Sequence, residues 1–341
     1  MVLSPDGSTV AFRGDLQTAT LGQVFQAAVD GSAPARAIGV VIQTVDNELL
    51  GPATWSPDGR YFAYGKRSRA TGVRFSILVK EGTFSPPDPL TYDNATDIRE
   101  PHWTPDGSTQ VYTQNTPTDP RQQLFAKPIG DPTQTLLNEA LSDDSTVDRV
   151  RVSPDGATVA YRVRSGSGAR LMRTGLGSTG QLAVAADSGP FEFSRDGRWL
   201  LYADGAGRLM RQALSAPASP PEPVGAPLPA GDSILDIVPI ADAVVVRTGR
   251  VQGQAVSAAR LWHATLAATP VVTALSPDTT GAGVQADFAV ASDGRSVAYR
   301  ADLRQTGQFE LQASRLSEPG VAETLSGTLA PGDQVTAVAV R

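Results

Sequence analysis

The ten residues from Trp55 to Tyr64 read WSPDGRYFAY, and related segments recur along the whole chain. In Ser-Pro-Asp-Gly, proline presets the backbone angle of the second turn position, aspartate tolerates the third, and glycine adopts the left-handed conformation that follows a type I turn. An apolar residue precedes the turn and alternating apolar residues follow it, a pattern typical of two strands that each bury one face. Each copy therefore predicts a β-hairpin.

Six clear copies of this motif and a weaker seventh divide the chain into similar units. The weaker copy is recovered by placing Asp236 on Asp287, with a two-residue deletion before Val244. Its turn aspartate is then Asp242, and successive turn aspartates lie 41 to 52 residues apart. The seven turn aspartates are Asp6, Asp58, Asp106, Asp155, Asp196, Asp242 and Asp293.

Each unit has room for four strands, because the hairpin is followed by a strand such as 73–80 or 308–314 and by a last one such as 321–325. One four-stranded antiparallel sheet cannot cover both its faces, and radial packing of repeated sheets is a β-propeller. We therefore predict an all-β fold, a seven-bladed β-propeller of four-stranded antiparallel blades, forming a single domain over residues 1–341. The aromatic residues that flank the turns, such as Trp55 and Trp103, are expected to pack between blades.

The first repeat has only three residues before its turn, and the chain ends on a segment with the pattern of a strand. The last segment could therefore supply the strand that the first repeat lacks. We predict that residues 334–341 complete the first blade. In this prediction 335–340 is its innermost strand and pairs with 8–13, which closes the ring and removes an exposed sheet edge.

Composition excludes several classes of protein. The 341 residues carry a formal net charge of −6 and a pI near 5.0, so no general basic field exists to hold nucleic acid or an anionic membrane. The chain has no cysteine, which excludes disulfides, thiolate metal sites and cysteine nucleophiles. No apolar run approaches the length of a membrane span, so we expect no membrane insertion. From the acidic net charge we expect no nucleic-acid partner.

The repeats resemble the WD40-like repeats of the TolB-type propeller family, whose unit carries an aromatic residue, Ser-Pro-Asp-Gly and a strand that ends on an aromatic residue. Residues 55–64 match this SPDG pattern in full, and the resemblance covers nearly the whole chain. It implies a scaffold that binds other proteins in the bacterial envelope, hence a periplasmic or extracellular location. Related propellers precede hydrolase domains in enzymes of the prolyl-oligopeptidase type.

No catalytic constellation is evident in the sequence. The nucleophile elbow Gly-x-Ser-x-Gly is missing, and the two histidines, His102 and His263, fall in different blades. Two histidines without cysteine also disfavour an imidazole-based metal centre. Residues 175–180, GLGSTG, match a dinucleotide fingerprint by letter, but a strand at 181–185 follows where a helix is needed, so we interpret them as a hairpin turn.

Charged residues cluster on the loops and strand ends predicted for one face of blades 2 to 4. A carboxylate-lined pore mouth there would suit Ca²⁺ or a basic peptide, and solvated polar loops are the alternative. Arg162 and Arg170 extend the basic set in blade 4. The candidate binding residues are Lys66, Arg67, Arg69, Arg74, Asp93, Asp97, Glu100, His102, Asp143, Asp144, Asp148 and Arg164.

The leading hypothesis is a non-enzymatic, monomeric propeller scaffold that binds a protein or peptide partner. We expect no catalytic residue, no metal site and no cofactor, with Ca²⁺ as the open alternative. A propeller lyase or hydrolase that uses channel carboxylates and a metal is a second hypothesis. A third is the regulatory propeller of a longer peptidase or sensor.

Overall fold

The computed structural model describes the chain apart from residues 15–22, 38–46, 69–73, 81–96, 117, 132, 167, 179, 217, 280, 331 and 339–341. The described residues form strands and turns and contain no helix. Two compact units divide the chain, Met1–Ala183 and Val184–Arg341. In every sheet the strands follow one another in chain order and pair antiparallel, as in the blades of a β-propeller.

The first unit contains four sheets. The first consists of β1 (Val2–Leu3), β2 (Thr9–Gly14), β3 (Gln23–Ala28) and β4 (Arg36–Ala37). The second consists of β5 (Asn47–Trp55), β6 (Tyr61–Ser68) and β7 (Arg74–Lys80). The third consists of β8 (Asp97–Trp103), β9 (Thr109–Asn115), β10 (Gln123–Pro128) and β11 (Thr135–Leu136). The fourth consists of β12 (Thr146–Val152), β13 (Thr158–Ser165), β14 (Gly168–Gly175) and β15 (Gln181–Ala186), whose end crosses the unit boundary.

The second unit contains three sheets. The fifth consists of β16 (Phe191–Phe193), β17 (Trp199–Ala203), β18 (Leu209–Ala213) and β19 (Glu222–Pro223). The sixth consists of β20 (Ser233–Pro239), β21 (Ala243–Gln252), β22 (Ala255–Thr265) and β23 (Val272–Ala274). The seventh consists of β24 (Ala289–Val290), β25 (Ser296–Ala301), β26 (Glu310–Arg315) and β27 (Glu323–Thr324).

The repeated turn is held by one buried hydroxyl. In the fourth sheet the Ser153 hydroxyl donates to the Asp155 carboxylate at 2.5 Å and accepts the Thr158 N–H at 2.9 Å, while the Gly156 N–H donates to the Ser153 carbonyl. Gly156 has φ +74°, as the sequence motif predicts. Equivalent pairs of side-chain hydrogen bonds form at Ser4, Ser56, Thr104 and Ser194.

Successive turns in the first unit lie against one another. A Cβ atom on Gly107 would lie 3.0 Å from the Asp58 carboxyl group of the preceding turn, and one on Gly156 would lie 3.1 Å from Cδ of Pro105. The glycine of the turn therefore has two roles: it adopts the positive φ, and its missing side chain leaves space for the neighbouring hairpin. This contact sets the sheets of the unit side by side.

Apolar side chains fill the spaces between neighbouring sheets. Val111 and Leu124 of the third sheet share one cluster with Val150 and Tyr161 of the fourth. In the second unit, clusters join the fifth sheet to the sixth and the sixth to the seventh. The prediction that the aromatic residues pack between sheets is confirmed for Trp103, whose ring lies 6.1 Å from that of Tyr61, and for Tyr161 and Tyr299, whose clusters span two sheets. Tyr112 instead packs against Ile98 and Phe125 of its own sheet.

A buried carboxylate fixes the loop before the seventh sheet. Asp302 accepts the backbone N–H groups of Ala282, Gly283 and Gly307 at 3.1, 2.7 and 3.0 Å. Gly283 has φ +77°, and a Cβ atom there would lie 2.2 Å from the Ala259 carbonyl oxygen. Only glycine fits this position, and the three hydrogen bonds to Asp302 hold the loop there.

The seven-bladed prediction is met in part. Six sheets of four strands are described, and the second sheet has three described strands. A fourth strand for that sheet would fall within 81–96, outside the described residues. The strand predictions for 73–80, 308–314, 321–325 and 181–185 are confirmed by β7, β26, β27 and β15.

The predicted closure by the C-terminal segment is wrong for its described part. Residues 333–338 form no strand, and the Val335 N–H donates to the Phe309 carbonyl of the seventh sheet at 2.9 Å. The Val338 N–H donates to the Asp287 carboxylate at 3.2 Å. The first-strand position of the first sheet is held by β1, where Val2 pairs with Ala11. Residues 339–341 of this prediction lie outside the described part.

The turn hydroxyl should contribute measurably to stability. We expect Ser153→Ala to lower the free energy of unfolding by about 1–3 kcal/mol, because it leaves a buried N–H without its acceptor. Urea unfolding followed by circular dichroism measures the change. Ser219→Ala, at an exposed position whose only described hydrogen bond is through the backbone, is the control and should change stability little. Equal midpoints for the two variants would contradict the role assigned to the hydroxyl.

The turn aspartates predict acid sensitivity at low pH. Hydrogen bonds from the Thr104 hydroxyl and from Ser108 lower the pKa of Asp106 from 3.8 to about 2, and bonds from Ser4 and Ser8 do the same for Asp6. Because these folded-state pKa values are depressed, their stabilising effect is present above pH 3.8 and is lost as the pH falls through about 2.

Carboxyl titration by NMR checks this prediction directly. We expect midpoints near 2 for Asp6 and Asp106. Thr104→Val removes the largest cause at Asp106 alone, so it should raise the midpoint of Asp106 and leave that of Asp6 unchanged. Titration of both carboxyls near 4 in the unmodified protein would show that the turn hydrogen bonds do not form in solution.

Candidate functional site

The candidate site lies in the first unit, where the third and fourth sheets carry two groups of contacting charged residues, one around Arg121 and one around Asp148. We call this surface the charged patch. It consists of Asp119, Arg121, Asp143, Asp144, Asp148, Arg162 and Arg164. Its members come from the loop between β9 and β10, the loop before β12, the start of β12 itself, and the far end of β13.

Asp148 is the centre of the charged patch because two arginines share it. Arg162 donates through Nε and Nη2 to the two carboxylate oxygens at 2.7 and 3.0 Å, and Arg164 donates through Nε at 2.7 Å. Strand β12 has a bulge between Val147 and Arg149, which places the Asp148 side chain beside both arginines of β13. The Arg162 side chain is 15% exposed and that of Arg164 is 58% exposed, so only Arg164 is offered to a partner.

A second forked ion pair forms the third-sheet side of the charged patch. Arg121 donates to both carboxylate oxygens of Asp119 at 2.8 and 2.9 Å and to the Leu141 carbonyl at 2.7 Å. The hydrogen bonds from Arg121 lower the pKa of Asp119, and those same bonds raise the pKa of Arg121. Arg121 also reaches the fully exposed Asp143 at 3.6 Å. One guanidinium therefore ties the loop before β12 to the third sheet.

Asp144 links this loop to the hairpin between β13 and β14. Its carboxylate accepts the Ser142 hydroxyl at 2.8 Å and the Gly166 N–H at 3.3 Å. These two hydrogen bonds, the serine hydroxyl first, lower the pKa of Asp144. Asp119, Asp144 and Asp148 are thus held by donors from several elements, whereas Asp143 is fully exposed to solvent.

The structure positions the other predicted site residues in the second and third sheets. Lys66 and Arg67 belong to β6, Arg74 begins β7, and Asp97 and Glu100 belong to β8. His102 is half-buried on β8 opposite Val111. Arg69 and Asp93 lie outside the described residues. Of the twelve candidates, Asp148 and Arg164 are therefore in contact, and Asp143 and Asp144 lie in the loop that precedes the strand of Asp148.

Acidic and basic groups in and beside the fourth sheet are paired with each other, which the sequence alone does not indicate. Asp148 neutralises part of the charge of Arg162 and Arg164, and Arg170 lies 3.5 Å from Glu139. Asp119 and Arg121 were not singled out in the sequence. Their spacing of two residues after a proline-containing turn was the available signal, since such a spacing lets the arginine fold back on the aspartate.

The ion pair at Asp148 has counterparts in the second unit. Arg247 of β21 pairs with Asp236 at 2.6 Å, and Arg300 of β25 pairs with Asp287 at 2.8 Å. Each of these arginines also donates from Nη1 to a carbonyl beyond its own sheet's strands, Val284 for Arg247 and Val335 for Arg300. The alignment of Asp236 with Asp287 predicted from the sequence is thereby confirmed.

Metal binding was tested against the side chains present. Within the described part of the chain, no three His, Asp or Glu side chains converge in a way that would hold a metal ion. The two histidines belong to different units, and burial lowers the pKa of His263. Among the described residues there is also no helix long and apolar enough to cross a membrane.

Removing the shared carboxylate should destabilise the charged patch. We expect Asp148→Asn to lower the free energy of unfolding by about 1–3 kcal/mol, because the partly buried Arg162 loses its counter-charge. Glu318→Gln is the control, since Glu318 and its partner Arg315 are both more than half exposed. Thermal and urea unfolding measure both variants. A change at Asp148 no larger than that at Glu318 would contradict the central position of Asp148.

Comparison with known proteins establishes the fold. No family model and no curated protein matches the chain. A solved prolyl endopeptidase aligns with a TM-score of 0.61 at 15% identity, over 93% of this chain and 48% of that one. Prolyl oligopeptidase B from Galerina marginata, bound to a 35mer hydrolysis and macrocyclization substrate, aligns with a TM-score of 0.57 at 12% identity, over 95% and 49%.

A protein provisionally assigned as TolB from Agrobacterium tumefaciens aligns with a TM-score of 0.44 at 17% identity, over 86% of this chain and 84% of that one. The chain spans about half the length of the two peptidases. At these identities the similarity extends to architecture alone. The chain has the β-propeller fold found in the prolyl oligopeptidases.

Proposed function

We propose that the chain is a non-enzymatic binding propeller that captures a protein or an extended peptide on the charged patch. The observation that carries this proposal is the sharing of Asp148 by Arg162 and Arg164. One arginine satisfies the carboxylate and is largely buried, while the second remains mostly exposed on a rigid strand end. A fixed and exposed guanidinium suits a partner carboxylate, because its donors are already oriented.

The remaining members of the charged patch support selective recognition rather than general attraction. Asp143 is fully exposed beside the paired Arg121, so a positive and a negative group are both available to a partner. Alternating charges of this kind orient an incoming protein and raise its association rate. We propose a periplasmic or extracellular location for this activity, a monomeric state and no cofactor. The location rests on the resemblance of the repeats to envelope propellers.

A second candidate function is that of the propeller part of a longer peptidase. The similarity to two prolyl peptidases covers over nine-tenths of this chain and only about half of theirs, which is the observation that favours it. In this case the partner of the charged patch would be a further domain or its peptide substrate. Measuring the mass and peptidase activity of the native gene product distinguishes this candidate from an independent scaffold.

Charge reversal at the exposed arginine tests the leading proposal. We expect Arg164→Glu to reduce capture of the native partner at least about fivefold, because it places a repulsive charge at the contact. Purified protein carrying a photo-crosslinker in place of Ala140, an exposed residue of the loop before β12 outside the charged patch, is incubated with native cells, and the attached proteins are quantified by mass spectrometry. Arg315→Glu is the matched control, since Arg315 is similarly exposed and also pairs with one acid, Glu318.

The control separates a specific contact from a general effect of charge. Both variants lower the net charge equally, so a loss of capture confined to Arg164→Glu supports the charged patch. Equal capture by the wild type and Arg164→Glu, or an equal loss in both variants, would contradict it. Thermal melting of both variants confirms that the fold is kept, as expected for side chains that are more than half exposed.

A further inference from the structure

A separate groove lies in the second unit, between the fifth and sixth sheets. Its volume is about 820 Å³, within the range of about 300–1,000 Å³ that ligand sites occupy. It opens at the end of the sheets where β17 begins and β22 ends, and its walls include Trp199, Arg211, Asp242 and Val271. None of these residues belongs to the charged patch.

One wall of the groove is fixed by a buried arginine. Arg211 is 5% exposed and lies over the Trp199 ring, with its guanidinium carbon 4.3 Å from the ring centroid. Its Nη1 donates to the carbonyls of Leu266 and Ala267 at 3.0 and 2.9 Å. Its Nε and Nη2 donate to Oε2 of Glu222 at 3.2 and 3.0 Å. The loop after β22 is thereby held against the fifth sheet, and the groove is formed before any ligand arrives.

The charges that line the groove leave one carboxylate unmatched. Arg198 is paired with Asp196, and Arg211 is paired with Glu222. Asp242 is exposed, and in the part of the chain that the structure describes it is the lining charge without an ion-pair partner. The groove therefore presents a single uncompensated negative charge, which favours a cationic ligand.

Apart from Thr265 and Thr269, the rest of the rim is apolar. Ala267, Ala268 and the half-exposed Val271 line the loop side of the groove, and Trp199 lines the opposite side. Lysine and arginine side chains combine a long apolar stem with a charged head, so they match such a surface better than a small cation does. An apolar wall beside one carboxylate thus matches a basic side chain, with its apolar stem and its charged head.

We propose that this groove binds a lysine or arginine side chain of an extended peptide, with its cationic head on Asp242 and its stem along Val271 and Ala268. The inference rests on the proposed function in one respect, that the ligand is a peptide. It adds a second contact point, on a different unit of the chain from the charged patch.

Two blocked tripeptides test the proposal, acetyl-Ala-Arg-Ala-amide and its citrulline counterpart, which has nearly the same shape and no charge. Binding is followed by NMR through the indole N–H of Trp199. We expect the arginine peptide to bind about five- to tenfold more tightly than the citrulline peptide. Asp242→Asn should abolish this preference. Asp333→Asn, at an exposed aspartate that does not line the groove, should keep it.

Three results would each overturn the proposal: equal affinity for the two peptides, an unchanged preference in Asp242→Asn, or no response at the Trp199 indole. The outcome is separable from the partner experiment on Arg164. If the wild type shows no preference for the arginine peptide but Arg164→Glu still reduces partner capture, the groove proposal fails and the charged-patch proposal stands. If the peptide preference is found but Arg164→Glu leaves capture unchanged, the charged-patch proposal fails and the groove proposal stands. Thermal melting verifies that Asp242→Asn retains the fold, as an exposed position predicts.

Discussion

The hydrogen bonds of one buried side-chain hydroxyl organise each of five hairpin turns. In the fourth sheet this hydroxyl belongs to Ser153, which bonds both the turn aspartate and the first N–H of the next strand. The pair of bonds fixes where β12 ends and β13 begins, and therefore which side chains face each neighbouring sheet. Tight turns in the first unit then lie against one another at Gly107 and Gly156, where an added side chain would crowd the preceding turn and oblige it to shift.

The hydroxyl is dispensable where other contacts replace it. In the seventh sheet Ala291 occupies the serine position, yet its N–H still bonds the Ser296 carbonyl and the Gly294 N–H still bonds the Ala291 carbonyl. In the sixth sheet a shorter turn joins Ile240 to Ala243. Both of these sheets keep the aspartate–arginine pair at their opposite end. In the sixth and seventh sheets, where the turn sequence has diverged, the aspartate–arginine pair therefore helps to hold the first two strands in register.

The candidate site is an elaboration of this structural ion pair. In the second unit one arginine serves each aspartate, whereas in the fourth sheet Arg162 takes the structural position and Arg164 is added two residues later on the same face of the strand. The additional cation is not required to satisfy Asp148, which already accepts two hydrogen bonds from Arg162. A charge kept on a rigid strand end beyond what the fold needs is available for recognition, and this is why the proposal centres on it.

The hairpins and the repeat were predictable from the sequence because Ser-Pro-Asp-Gly specifies its geometry locally. The pairing of Asp148 with two arginines was not, since it depends on the bulge between Val147 and Arg149, which alternation of residues cannot reveal. The position of Val335 was also missed. Its carbonyl is held by Arg300, whose reach depends on the three-dimensional course of the seventh sheet.

The bridges made by Arg247 and Arg300 also bear on how such a chain can change over time. Besides its aspartate, each guanidinium binds a main-chain oxygen, that of Val284 or Val335. Every residue type carries that oxygen, so the hydrogen bond does not depend on which side chain the receiving residue has, although packing still restricts the buried Val284. Copies of a repeat can therefore diverge at the receiving position within the limits of packing and still keep the bridge.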